Sequence, residues 1–168
     1  SRGLAIAGSQ LIVADQKRIL YWNIPNGITD LQDNKPADGA VGVPNFTTYA
    51  NIDFNRIEAD KVKNLWAAHG STLEHYTLPL SSSEMPDAVI NTQSFQFLGA
   101  GVPIGISFEI GDIALDPNGN YLWLALPGKD RVIRVRKPVN LTGPYIIDVI
   151  IGGASILSYS HAWGDSCT

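Results

Sequence analysis

The chain has 168 residues, 45% of them hydrophobic and 17% charged, and its 12 Lys and Arg against 16 Asp and Glu give a net charge of −4. Length and composition fit one domain of ordinary size and exclude a disordered chain, while the negative charge argues against a dedicated nucleic-acid binder. No run reaches the ~18 consecutive apolar residues of a membrane helix, and the single cysteine excludes an intrachain disulfide and a thiolate-clustered metal site.

The first part of the chain contains four segments that are typical of β-strands. Residues 3–7 and 11–15 are short apolar runs bounded by turn residues, which is the pattern of buried strands. Residues 18–22 alternate polar and apolar side chains, which indicates a half-exposed strand. Residues 39–41 form a fourth apolar run, so this part predicts a four-stranded unit.

The same order of segments recurs twice further along the chain. The second set comprises residues 55–59, 65–69, 72–79 and 88–90, and the third set residues 111–115, 122–126, 131–138 and 146–151. The sets begin at residues 3, 55 and 111, which are steps of 52 and 56 residues. Pro25, Pro79 and Pro138 each lie seven positions after the start of the third segment. Proline has no N–H, so each one is expected to end the hydrogen-bond ladder of its strand.

This repeat predicts an all-β fold of β-propeller blades, each with four antiparallel strands, in three repeats of about 52–56 residues. The whole chain, residues 1–168, is then a partial propeller. Blade 1 covers about 3–54, blade 2 about 55–110 and blade 3 about 111–153, and residues 154–168 form a loop leading to a further blade. Trp and Tyr are expected to fill the wedges between blades. The alternative is a β-sandwich with an accidental period.

The residues of the first and third units resemble NHL repeats of bacterial secreted proteins. Residues 3–22 read GLAIAGSQLIVADQKRILYW, residues 112–125 read DIALDPNGNYLWLA, and residues 37–47, ADGAVGVPNFT, are similar to the stretch that closes a blade in that family. The middle unit matches less well, since Thr72 stands where the family has Arg. The resemblance implies a fragment of a six-bladed propeller that is exported, either to the periplasm and cell envelope or outside the cell.

The only histidines are His69, His75 and His161. Propeller lyases and hydrolases similar to this family place metal-ligating histidines around their central channel, where ligands from several blades converge. Here only His69 lies near the end of a predicted inner strand. Ordinary surface or rim histidines are therefore the favoured interpretation of the three.

Two further motifs are interpreted as loops. Asp116, Asn118 and Asn120 have the spacing of calcium ligands, but the glycine and the distal Glu of a calcium loop are not in place, so a hairpin turn is favoured. Gly99, Gly101 and Gly105 resemble a dinucleotide fingerprint with one gap too long, so a Gly-rich loop between blades is favoured.

Five cations stand within nine positions, at Lys129, Arg131, Arg134, Arg136 and Lys137. A positive face of this kind can bind RNA, but the overall charge is negative. A solvated strand with protection of a sheet edge is therefore the favoured interpretation.

Asn45 and Asn140 begin two glycosylation sequons, a number close to chance. Cys167 is expected to be a lone thiol, with a disulfide to a further segment as the alternative.

The sequence predicts no catalytic residue, no cofactor and no metal site. The first functional hypothesis is a non-enzymatic NHL-type propeller that serves as a protein- or ligand-binding scaffold. The alternative is a fragment of a propeller enzyme, either a metal-dependent lyase or a lactonase-like hydrolase. The expected partner is protein packed on the terminal blades: the rest of the propeller, another copy or another chain. Each uncovered blade face should expose several hundred Å² of apolar surface, and neither nucleic acid nor a membrane span is expected.

Overall fold

The computed structural model describes residues 3–15, 17–43, 45, 53–61 and 63–152. Within these ranges, the chain forms thirteen strands and three short 3₁₀ turns. The strands form three antiparallel sheets in chain order, and one short strand adds to the third sheet in parallel. None of the helical turns in these ranges is long and apolar enough to cross a membrane.

Blade 1 is the sheet β1–β2–β3–β4, in which each strand pairs with the next in the chain. Its strands are β1 (Gly3–Ala7), β2 (Gln10–Asp15), β3 (Arg18–Asn23) and β4 (Gly39–Val41). Buried and half-buried residues alternate along β2 and through most of β3, as expected for strands that are covered on one face only.

Blade 2 repeats this order with β5 (Arg56–Ala59), β6 (Asn64–His69), β7 (Thr72–Thr77) and β8 (Ala88–Asn91). The four central residues of both β6 and β7 are buried. Continuous burial replaces the alternation of blade 1 because this middle sheet is covered on both faces.

Blade 3 consists of β10 (Asp112–Leu115), β11 (Tyr121–Leu126), β12 (Arg131–Arg136) and β13 (Ile146–Ile151). A further strand, β9 (Gln96–Phe97), comes from the connection between blades 2 and 3 and pairs in parallel with β13. The Gln96 N–H donates to the Tyr145 carbonyl at 2.9 Å, and the Leu98 N–H donates to the Ile147 carbonyl at 3.0 Å. The outer edge of this blade is thereby partly capped, a feature that the sequence did not predict.

The three sheets stack so that their first strands, β1, β5 and β10, lie side by side. One apolar core lies between blades 1 and 2, and its largest completely buried side chains are Phe54, Tyr76, Ile12, Ile19 and Leu65. A second core lies between blades 2 and 3, and it includes Trp66, Leu73, Phe95, Leu122 and Leu124. The predicted fold class, blades of four antiparallel strands, is confirmed. The blade boundaries stay a prediction, and residues 154–168 lie outside the described residues.

The strand limits follow the repeat closely. Each third strand ends two residues before its proline, at Asn23, Thr77 and Arg136. The three blades therefore end their third strands in the same way, as the missing proline N–H predicts.

Polar side chains form hydrogen bonds between blades and along the connection from blade 2 to blade 3. The Gln10 amide donates to the Leu80 carbonyl at 3.0 Å and accepts from the Leu80 N–H at 2.7 Å. The Thr92 hydroxyl forms the same kind of two-way pair with the backbone of Phe108. The Asn55 amide donates to the Ile110 carbonyl at 3.0 Å. These bonds satisfy buried backbone groups in the β7–β8 loop of blade 2, at Leu80, and in the connection from blade 2 to blade 3, at Phe108 and Ile110.

Candidate interaction faces of the terminal blades

Every blade has two faces, and the repeat fixes which residues lie on each. The preceding face is directed toward the previous blade, and the following face toward the next one. In blade 2, Leu65 and Tyr76 lie on the preceding face and pack in the core shared with blade 1, while Trp66 and Leu73 lie on the following face and pack in the core shared with blade 3. No described sheet packs on the preceding face of blade 1 or on the following face of blade 3.

The preceding face of blade 1 is apolar throughout its centre. Cross-strand pairing places six apolar residues on it: Leu4, Ile6, Leu11, Val13, Leu20 and Trp22. At the β2–β3 end of the same face, the Arg18 guanidinium donates to Asp15 at 3.0 Å. The six apolar residues are the blade 1 open face. Leu4 is 65% and Ile6 59% exposed, and the other four are half-buried. The only polar atom among these side chains, the indole Nε1 of Trp22, donates to the Lys35 carbonyl at 3.1 Å.

The following face of blade 3 combines aromatic, aliphatic and cationic side chains. Pairing of β11 with β12 places together Tyr121 and Arg136, Trp123 and Arg134, and Ala125 and Val132. These six residues are the blade 3 open face.

A buried carboxylate neutralises part of the charge on the blade 3 open face. The Arg134 guanidinium donates to Asp148 through Nε at 2.9 Å and through a terminal nitrogen at 3.2 Å, and it lies 4.5 Å from the centre of the Tyr121 ring. Asp148 lies where the β12–β13 register shifts, and its side chain is only 5% exposed. The hydrogen bonds to Asp148 raise the pKa of Arg134 above its usual value. The bidentate geometry fixes the guanidinium plane across the face.

The expectation that the basic segment is a solvated strand that protects a sheet edge is wrong for the edge and holds in part for solvation, since the Arg136 side chain is 50% exposed. β12 lies between β11 and β13, so it is not an edge. Arg131 is buried beneath the face shared with blade 2, and the Lys137 ammonium lies 5.3 Å from the centre of the Trp66 ring. Burial lowers the pKa of Lys137. The sequence pattern could not show this, because the anions and aromatic rings that contact these cations come from other strands.

The histidines of blade 2 lie on opposite faces of its sheet, and the structure does not bring them together. His75 is 2% exposed, so the surface interpretation is wrong for it. Its Nε2 donates to Asn64 Oδ1 at 2.8 Å, because the Asn64 amide nitrogen already donates to Asp60 at 2.6 Å. Its Nδ1 lies 3.3 Å from an oxygen of Asp87. Burial lowers the pKa of His75.

His69 belongs to a separate polar network on the preceding face of blade 2. Its Nε2 donates to Glu74 Oε1 at 3.0 Å, and the Tyr76 hydroxyl donates to Glu74 Oε2 at 2.6 Å. Burial raises the pKa of Tyr76 far above its usual value. Within the described ranges, no three His, Cys, Asp or Glu side chains are grouped so as to hold a metal ion, and His161 lies outside those ranges.

The remaining motifs occur in loops. Asp116 accepts hydrogen bonds from the backbone N–H of Asn118 and of Tyr121, so its carboxylate organises the turn between β10 and β11. Gly99, Gly101 and Gly105 have positive φ in the connection that follows β9. Residues 46–47 of the first sequon and Cys167 lie outside the described residues, and Asn140 is exposed in the loop before β13.

Comparison with known proteins returns only similarity of fold. No family model matches the chain, and no curated protein matches it. Sixty-seven chains of solved structure match. One is assigned as a 6-phosphogluconolactonase from Bacteroides uniformis, with a TM-score of 0.45 and 14% identity over 81% of this chain. Another is the β-propeller domain of Cps50 (Swd1) from Myceliophteria thermophila, with a TM-score of 0.45 and 13% identity over 89% of this chain. The chain spans 38% and 57% of these two proteins.

Proposed function

We propose that this chain is a protein-binding propeller module of the NHL type, which acts as a scaffold through the open faces of its terminal blades. The observation that carries the proposal is the blade 1 open face. Six apolar side chains are contiguous on one sheet there, and the two on the edge strand, Leu4 and Ile6, are more than half exposed. Exposed apolar patches of this kind mark sites of protein interaction.

The size of the hydrophobic effect supports binding of protein to this face. Covering ~400 Å² of apolar surface contributes on the order of 10 kcal/mol at ~25 cal/mol per Å², before the costs of association. That is comparable with the entire stability of an ordinary domain. A partner that covers the blade 1 open face would therefore stabilise the chain strongly.

The blade 3 open face has the composition of an interface centre. Trp, Tyr and Arg are the residues most enriched among those that dominate binding energy. Here Trp123, Tyr121 and Arg134 adjoin one another, and Asp148 holds Arg134 in place. A flat partner surface could pack on the two rings without displacing the ion pair.

The NHL assignment, the scaffold role and export to the periplasm, cell envelope or exterior rest on the motif resemblance and on these faces together. A competing role as a propeller enzyme with a metal in the channel predicts a stoichiometric metal in the purified chain. Metal analysis by mass spectrometry therefore separates the two roles. Stoichiometric zinc, calcium or iron would overturn the scaffold proposal in its simple form.

Site-specific photo-crosslinking in the native host tests the binding role. A benzophenone side chain is introduced at Leu4, on the open face, or at Val139, which is fully exposed in a loop, as the matched control. We expect defined protein adducts at position 4 and few at position 139, because only position 4 lies in a docking surface. Equal or absent protein adducts at the two positions would contradict the proposal.

A further inference from the structure

We propose that the two open faces bind each other, so that blade 1 of one copy of this chain packs on blade 3 of a second copy, head to tail. This inference rests on the proposed function and names its partner. Within one chain, a preceding face packs on the following face of the neighbouring blade, and the two open faces are one face of each kind.

The repeat shows what covers each open face. Leu11 and Val13 of the blade 1 open face occupy the repeat positions of Leu65 and Ala67 in blade 2, which blade 1 buries completely. The same positions in blade 3 are buried against blade 2. A preceding face is thus covered by the following face of another blade wherever both are present in the described part of the chain.

The blade 3 open face keeps the character of the following face that blade 2 buries. Four positions of blade 2 correspond to four of blade 3: Trp66 to Trp123, Ala68 to Ala125, Leu73 to Val132 and His75 to Arg134. Three of the four stay aromatic or aliphatic. The following face of blade 3 therefore offers a preceding face the same kind of apolar surface as the following face of blade 2, on which the preceding face of blade 3 packs.

Two cations lie on the blade 3 open face, and neither prevents the contact. Arg136, whose side chain is 50% exposed, lies 3.5 Å from the Asp148 carboxylate. Arg134 is paired in bidentate fashion with Asp148, whose side chain is already 5% exposed. Burying a charge is costly when it is left without a counter-ion, and this pair brings its counter-ion with it. The Tyr121 ring covers one side of the same guanidinium.

The area favours two contacts in a closed pair. One face of about 400 Å² on each copy gives roughly 800 Å² in total, which is below the ~1,200 Å² of stable complexes. Two such contacts, made when each copy gives one face of each kind, reach the ~1,600 Å² of a standard interface. Heterologous contacts of this kind close into a ring when the rotation permits.

Mixing two variants of the 168-residue chain tests this arrangement. L4K/I6K places cations on the blade 1 open face, and V132E places an anion on the blade 3 open face, where Val132 is 36% exposed. Sedimentation equilibrium should show wild type and the loop control V139K at twice the 18.2 kDa chain mass. Each face variant alone should be a monomer.

The equimolar mixture should return to the dimer mass. One contact is then native on both sides, and the other joins the new Lys and Glu side chains. Recovery in the mixture also shows that both variants are folded. A monomeric wild type would overturn the second copy as partner.

A symmetric contact, blade 1 against blade 1, gives a different pattern. In that case V132E would dimerise alone, L4K/I6K would not, and mixing would restore nothing. That pattern overturns the head-to-tail arrangement and leaves the protein-binding function intact. The binding function itself fails if position 4 yields no protein adduct, or no more than the control position 139.

Discussion

The two open faces lie at opposite ends of the three-blade array, and they differ in the side chains that they expose to solvent. On the blade 3 open face, Arg134 and Asp148 form a bidentate ion pair beneath the Tyr121 ring, and β9 partly caps the outer edge of that blade. On the preceding face of blade 1, the ion pair of Arg18 with Asp15 lies only at the β2–β3 end of the sheet. The six side chains of the blade 1 open face are apolar, and Leu4 and Ile6 on its edge strand are exposed. The difference indicates that blade 3 tolerates contact of its open face with solvent, whereas the stability of blade 1 depends more on a partner that covers its open face.

The largest expected effect is on the free energy of unfolding. It compares the same repeat position on the covered following face of blade 2 and on the blade 3 open face. Trp66→Ala removes an indole that is completely buried between blades 2 and 3, and we expect it to cost about 3–5 kcal/mol of unfolding free energy. Trp123→Ala at the matching half-buried position should cost about 1 kcal/mol in the monomer. Urea denaturation of dilute protein measures both. Equal losses would show that something covers the blade 3 open face in the monomer.

The second effect concerns the buried hydrogen bonds between Gln10 of blade 1 and the Leu80 backbone of blade 2. Gln10→Ala removes both bonds to the Leu80 backbone and leaves buried partners unsatisfied, so we expect a loss of about 1–3 kcal/mol. Gln32→Ala, at an exposed position, is the matched control and should change stability by less than about 0.5 kcal/mol. A Gln10 variant as stable as the control would show that blade 1 does not need this contact.

The third effect is a pH dependence of the unfolding free energy, caused by His75 of blade 2. Arg134 occupies the matching position in blade 3. Because burial lowers the folded-state pKa of His75 below its ordinary 6.5, the unfolded chain binds the proton first as the pH falls. The contribution of His75 is therefore fully present above about pH 6.5 and is lost below it.

His75→Gln retains a side-chain donor for Asn64 and cannot titrate. The wild type should lose stability relative to this variant between about pH 7.5 and pH 5. The charged groups around the imidazole are Asp87, Asp60 and Lys137. A difference that stays constant over this range, measured by thermal melts at each pH, would contradict the assignment.

The smallest expected effect is on the stability of the blade 1 open face itself. Leu4→Lys and Ile6→Lys change exposed side chains, so the free energy of unfolding of the monomer should change by less than about 0.5 kcal/mol each. Their effect should appear in association alone. A large loss in dilute protein, seen in urea titrations, would show that the face is covered within one chain.

Much of the fold could be predicted from the sequence. The first strands of the three blades begin within one residue of their predicted starts, because apolar runs, turn residues and proline act locally. The two-residue parallel strand β9 was missed, since two residues carry no periodicity. Gln10 was missed because its burial depends on Leu80, which is 70 positions away in the chain.

The faces were predicted less completely. The apolar character of the blade 1 open face follows from the apolar run at residues 11–15, whereas the predicted alternation of residues 18–22 did not foresee that Leu20 and Trp22 would both lie on this face. Asp148 is positioned by a register shift in β13 that no sequence pattern marks, so its pairing with Arg134 could not be foreseen. His75 was misplaced for a related reason: a strand that is covered on both faces does not alternate.

The solution mass of the unmodified chain tests the central claim most directly. If blade 1 requires a neighbouring blade, sedimentation equilibrium at tens of micromolar, a concentration typical of weak to moderate interfaces, should give twice the 18.2 kDa chain mass. A monodisperse 18.2 kDa species that unfolds cooperatively would contradict the claim.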